Sequence, residues 1–144
     1  MRMKTIVLLT VLLCTTISFS QVGIGTNTPQ STLDINGNLS VKHLELPVPP
    51  SVSAALQDIS DGVYISLNPN VTDQIFRLPN AAAFPGRMYI IRNINDTVTA
   101  QLRTNGGLLF PKNSTIGSTE IYMYEGNLRT VTVISDGSNW TYIN

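Results

Sequence analysis

The chain has 144 residues, 42% hydrophobic and only 12% charged, with nine Lys plus Arg against nine Asp plus Glu, one Cys and one His. That length suits one ordinary core. The balanced charge, with no Lys/Arg cluster, argues against nucleic acid or an anionic membrane surface as a partner.

Residues 1–20, "MRMKTIVLLTVLLCTTISFS", place Arg2 and Lys4 before an apolar run at 6–13 and small residues at Ser18 and Ser20. This is the layout of a cleavable secretory signal, with cleavage expected after Ser20. The run is shorter than the ~20 residues of a membrane-spanning helix, so no membrane attachment is expected after cleavage. Cys14 raises the alternative of a lipoprotein signal, against which the bulk of Leu13 counts. The mature chain, 21–144, then has seven Lys plus Arg, nine Asp plus Glu, a formal charge of −2 and no cysteine. An exported domain without disulfides must rely on its core or on oligomerisation.

The next section, 21–46, is expected to form a short β stem. In "QVGIGTNTPQSTLDINGNLSVKHL", Val22 and Ile24 alternate with Gly23 and Gly25, so one side of the extended chain is branched and apolar while the other is bare backbone open to close approach by another chain. Pro29 sets a turn. Leu33, Ile35, Leu39 and Val41 then predict two short strands around "NGN" at 36–38, a tight-turn signal. A lone hairpin is marginal in water, so the six residues Val22, Ile24, Leu33, Ile35, Leu39 and Val41 are the expected contact surface for sister chains.

Residues 47–73 open on "PVPPS" and predict a linker, with Ser51 or Ser53 capping one helical turn that carries Leu56 and Ile59. Residues 74–144 predict a compact antiparallel β head, a sandwich or prism. In "TVTAQLR" Val98, Ala100 and Leu102 face one way. "RMYIIRN", "EIYMYE", "RTVTVIS" and "NWTYIN" place Tyr89 and Ile91, Ile121 and Met123, Val131 and Val133, and Trp140 and Tyr142 likewise. "FPGR", "NIND", "TNGG", "YEGN" and "SDGSN" separate them as turns. The expected fold class is all-β, and no tandem repeat of fixed period is visible.

"VGIGTNTP" followed by "TLDINGNLSV" resembles the motif "VGIGT..P...LDVNG...V" of secreted and surface proteins of Bacteroidetes-type bacteria and of phage tail-fibre-like proteins. "FRLPNAAAFPGRMYIIRNIN" through "VTVISDGSNWTYIN" is similar to the C-terminal β domain of such fibres. The resemblance implies an intertwined, trimeric β stem and a non-enzymatic structural or adhesion-type protein, secreted or held at the cell surface. A single stem motif with no extended shaft implies a compact head on a short stem. In the same bacteria "DTV" is similar to an O-glycosylation pattern, with Thr97 as acceptor.

Chemistry-bearing residues are sparse. His43 has no Cys or second His for a metal or triad set. Asp58 and Asp61 before Gly62 suit a turn better than a calcium loop. Glu120 and Glu125 read as strand ends rather than a glycosidase pair. Asp136 lies in a turn, and "GIGTNT" lacks the Lys and helix of a phosphate cradle. Five N-x-[ST] patterns, at Asn38, Asn70, Asn95, Asn113 and Asn139, are a modest excess over chance. No cofactor or metal is expected. A glycan or surface receptor is the expected partner besides the chain itself. The candidate ligand set is Tyr122, Tyr124, Trp140 and Tyr142 as aromatic faces, with Asn127, Arg129 and Asn139 as hydrogen-bonding groups. The rival reading is a monomeric carbohydrate-binding β-sandwich with an extended N-terminal tail.

Overall fold

A computed structural model describes residues 21–47 and 56–144. The expected signal segment, most of "PVPPS", and the capping positions Ser51 and Ser53 lie outside the described residues. The described chain is almost entirely β, with a single 3₁₀ turn at Ala81–Ala83. It divides into two compact units, one ending at Ser40 and one spanning Val41–Asn144.

In the first unit β1 (Val22–Ile24) pairs in parallel with β2 (Leu33–Ile35), in the register Val22↔Leu33, Gly23↔Asp34, Ile24↔Ile35. The expected hairpin around residues 36–38 does not form: the strand partner of Leu33–Ile35 is β1, and Leu39 and Val41 are outside any strand. The reason is local. Asp34 Oδ2 accepts from Gln30 N at 2.8 Å and Asn36 N donates to Ile24 O at 2.9 Å, so the loop after β1 is folded back onto it. The bare backbone of Gly23 and Gly25 is used within this unit. A Cβ on Gly25, whose φ is +72°, would meet Asn36 O at 2.9 Å, and one on Gly23 would strike Thr26 O.

The second unit contains β3 (His43–Pro47), β4 (Gln57–Asp58), β5 (Tyr64–Asn68), β6 (Gln74–Leu78), β7 (Met88–Asn93), β8 (Ala100–Thr104), β9 (Leu109–Pro111), β10 (Glu120–Met123), β11 (Thr130–Ser135) and β12 (Trp140–Ile143). They form a six-stranded sheet in the order β3-β5-β7-β11-β12-β9 and a four-stranded sheet in the order β10-β8-β6-β4. From β3 to β8 the chain alternates between the sheets, and each strand lies parallel to the one two places earlier: β3, β5 and β7 in one sheet, β4, β6 and β8 in the other. The first part of the head is therefore wound as a two-sided coil. Antiparallel pairs β8–β10, β7–β11 and β11–β12, with β9 parallel to β12, complete it. The sheets are mixed rather than antiparallel as expected. The register advances 21 residues from His43 to Tyr64 but 26 from Tyr64 to Ile90, so the coils carry no fixed period that a sequence search would detect.

The inner faces meet in one core. Ile65, Tyr89, Ile91, Val131, Val133 and Trp140 of the larger sheet and Phe76, Leu78, Ala100, Leu102 and Met123 of the smaller one have no exposed surface. These include most of the inward positions expected in 74–144; Ile121 is 8% exposed, Tyr142 is half-buried against the core, and Val98 is half-buried in the loop before β8 rather than in a strand. Residues 57–68 are not a linker. β5 lies inside the larger sheet between β3 and β7, Gln57 and Asp58 pair as a strand with β6 instead of forming a helical turn, and Ile59 is buried. "VYISLN" has the period-2 pattern that announces this strand. Likewise "HLELP" is an edge strand of the second unit. Lys42 O accepts from Tyr64 N, so by alternation the groups of His43, Glu45 and Pro47 face the open edge. Pro47 has no N–H to offer there, which blunts the edge.

Candidate functional site

Two surfaces stand out, one in each unit. In the first unit the parallel register puts Val22, Ile24, Leu33 and Ile35 on one face of the small sheet, opposite Gly23 and Asp34. Val22 is 51%, Ile24 55% and Leu33 55% exposed, and Ile35 is half-buried. Four of the six residues expected to contact sister chains thus share one uncovered apolar face. Leu39 and Val41 are exposed outside it, Val41 belonging to the second unit.

In the second unit the outer face of the four-stranded sheet is polar and aromatic. One cross-strand row runs Asp58, Arg77, Arg103, Glu120. Asp58 accepts two hydrogen bonds from the Arg77 guanidinium, at 2.7 Å from Nε and 3.0 Å from Nη2. Arg103 Nε lies 2.8 Å from Glu120 Oε2 as an ion pair without the directed geometry of a hydrogen bond. The Arg77 hydrogen bonds hold the Asp58 carboxyl below the usual range. The next row runs Ile75, Gln101, Tyr122, with Gln101 Nε2 donating to Tyr122 Oη at 2.9 Å and Tyr122 Oη donating to Glu120 Oε1 at 3.2 Å. Burial, then the neighbouring Glu120 charge, pushes the Tyr122 phenol above its ordinary range. The Tyr122 and Tyr124 rings stack at 6.2 Å and 25°, and Tyr124 is half exposed. Where the Asp58–Arg77 pair ends, a shallow pocket of about 180 Å³ opens, lined also by Ser60, Pro79, Phe84 and Asn105.

The structure brings together only part of the sequence-derived ligand set. Tyr122 and Tyr124 are neighbours on this face. Trp140 is fully buried, its ring 5.9 Å from Tyr89 and its Nε1 donating to Pro79 O at 3.2 Å, so it fills the core and presents no face to a ligand. Tyr142 lies on β12 of the other sheet, half-buried. Arg129 donates to the carbonyls of Asn93, Ile94 and Asn95 and pairs with Asp96, clamping a turn. Asn139 Oδ1 accepts from Leu108 N at 2.9 Å, and Asn127 Oδ1 accepts from Leu128 N at 2.8 Å, where Leu128 has φ +52°. Thr97 is exposed in a turn whose Asn95 Oδ1 accepts from Thr97 N.

Arg77, Arg103, Gln101, Asp58 and Phe84 were not in that set. Alternation in "IFRLP" and "QLRT" already points Arg77 and Arg103 outward; their adjacency depends on the parallel register, which no local pattern encodes. The other titratable residues singled out in the sequence have structural partners. His43 Nε2 lies 2.9 Å from Ser66 Oγ, on the adjacent strand. Asp61 pairs with Lys42, a hydrogen bond that lowers its pKa, and accepts from Gly62 N. Thr99 Oγ1 donates to Glu125 at 3.0 Å. Among the described residues, no group of three or more His, Cys, Asp or Glu is placed to hold a metal ion, and no helix is long and apolar enough to cross a membrane. Comparison with protein-family models, with curated proteins and with solved structures found no match.

Proposed function

We propose that this protein is a secreted, non-enzymatic structural or adhesion-type module, a tail-fibre-like homotrimer that uses its β head for attachment to a surface or receptor. The observation that carries the reading is the apolar face of the first unit. Val22, Ile24 and Leu33 are each about half exposed on one face of a two-stranded sheet, a structure too small to be stable in water on its own apolar contacts. Sister chains would supply the missing cover. Closed symmetry does this without leaving a growing edge, and the two devices that blunt the head's own edges, Pro47 on β3 and the two-residue length of β4, discourage uncontrolled strand addition.

Light scattering on the mature chain, 21–144, tests the proposal. Three times the chain mass is expected. Ile24→Asp together with Leu33→Asp should reduce the species to a single chain while the head keeps its far-ultraviolet circular dichroism. A wild-type protein that runs as one chain, with slow amide exchange at Val22 and Asn36, overturns the reading.

A further inference from the structure

We infer that the outer face of the four-stranded sheet binds a neutral oligosaccharide, with one sugar residue seated in the pocket at Asp58, Arg77, Phe84 and Asn105 and the chain running across the sheet toward Tyr122 and Tyr124. This deepens the attachment reading by naming its ligand, and rests on it.

The size of the pocket sets the first constraint. At about 180 Å³ it is smaller than the ~300–1,000 Å³ of clefts that enclose drug-sized ligands, and suits a single small ring. Its lining sets the second. It combines a carboxylate, a guanidinium, an amide and a hydroxyl with the Phe84 ring, which is 37% exposed and anchored by the Arg87 guanidinium 4.5 Å over its centroid. A guanidinium has five donors and a carboxylate about four acceptor sites. The Asp58–Arg77 pair uses two of each, so both groups keep capacity directed by a fixed geometry. Sugar hydroxyls both donate and accept, and their ring C–H faces pack on aromatic carbon.

Charge decides between neutral and acidic ligands. Along the row Asp58, Arg77, Arg103, Glu120 each arginine is matched by a carboxylate, and the further charge that acts on Tyr122, Asp73, is negative, so the row has no net positive charge to attract an anion. The row crosses four strands, three spacings of about 4.8 Å or roughly 14 Å, which accommodates more than one sugar residue. The stacked Tyr122 and Tyr124 rings supply an aromatic platform at the far side, Tyr122 on β10, the opposite edge strand from the pocket, and Tyr124 just past its end. Tyr122 is fixed by Gln101 and Glu120, so little side-chain ordering remains to oppose binding.

The test uses the mature protein on an array of neutral and acidic oligosaccharides, followed by titration calorimetry with the strongest neutral binder and with its component monosaccharide. Binding of a neutral oligosaccharide is expected. Asp58→Asn and Phe84→Ala should each weaken oligosaccharide and monosaccharide alike by about tenfold or more. Tyr124→Ala should weaken the oligosaccharide only, and Thr130→Ala, exposed on the other sheet, should change neither. Fluorescence of Trp140 checks that each variant is folded; if Phe84→Ala is not, Asp58→Asn and Tyr124→Ala decide the matter. Absence of binding, preference for acidic glycans, or binding untouched by Asp58→Asn overturns the inference. Light scattering on the same samples reports assembly independently, so a trimer without glycan binding refutes this site and leaves the assembly reading standing.

Discussion

Asn93 offers the sharpest test of how the two sheets are joined. Its side chain is fully buried at the end of β7. Nδ2 donates to Val98 O at 2.8 Å and to Met123 O at 2.9 Å, while Oδ1 accepts from Asn95 N at 3.0 Å. Met123 ends β10 of the smaller sheet, so one amide links the larger sheet to the smaller and also shapes the turn after β7. Asn93→Ala removes three hydrogen bonds worth about 1 kcal/mol each and leaves groups that cost about 1–3 kcal/mol when buried without a partner. The expected loss is ~3–5 kcal/mol, a large part of the ~5–15 kcal/mol that holds a typical domain together. At roughly 4 °C per kcal/mol for a chain of this size, the thermal midpoint should fall by ~12–20 °C. Urea unfolding followed by fluorescence of the single, buried Trp140 measures it directly. Asn139→Ala is the control: its more exposed Oδ1 takes one hydrogen bond from Leu108 N, and its loss should cost under ~1 kcal/mol. An Asn93→Ala protein no less stable than Asn139→Ala would refute the reasoning.

Two further outcomes are expected. Gly25→Ala should loosen the first unit, because φ +72° and an Asn36 oxygen 2.9 Å from the new Cβ both oppose it; faster amide exchange at Val22 and Asn36 reports this, and unchanged exchange contradicts it. Stability should also fall in acid. The Asp58 carboxyl is held low by the Arg77 hydrogen bonds, Asp61 by that of Lys42, and Asp136 by the backbone N–H groups of Asn139 and Ser138, each at 2.7 Å. A folded pKa below the unfolded one stabilises at pH values above the unfolded value near 3.8, and the contribution disappears as pH falls through the depressed folded value. Urea midpoints should therefore be flat from pH 7 to 5 and drop below about pH 4, with a shallower drop in Asp136→Asn. An identical acid limb in that variant removes Asp136 from the account.

How far the sequence could be read depended on the range of the signal. Period-2 alternation is local, so it correctly placed Tyr89, Ile91, Val131, Val133 and Trp140 on the inside, and the fate of Trp140 as core follows from the same pattern. Turn chemistry marked the gaps between strands equally well. Alternation in "VYISLN" was just as legible, but the prolines at 47, 49 and 50 drew that region into a linker.

What the sequence alone determined is which residues of each strand turn inward and that the molecule is built of strands. Only the tertiary structure decided which strands are neighbours. A side-chain period of two assigns a face but is blind to partner and direction, so "NGN" advertised a hairpin while Leu33–Ile35 found a parallel partner in Val22–Ile24. The two-sided coil, with advances of 21 and 26 residues, was hidden for the same reason. The row Asp58, Arg77, Arg103, Glu120 joins residues far apart in the chain, and its existence is a property of register.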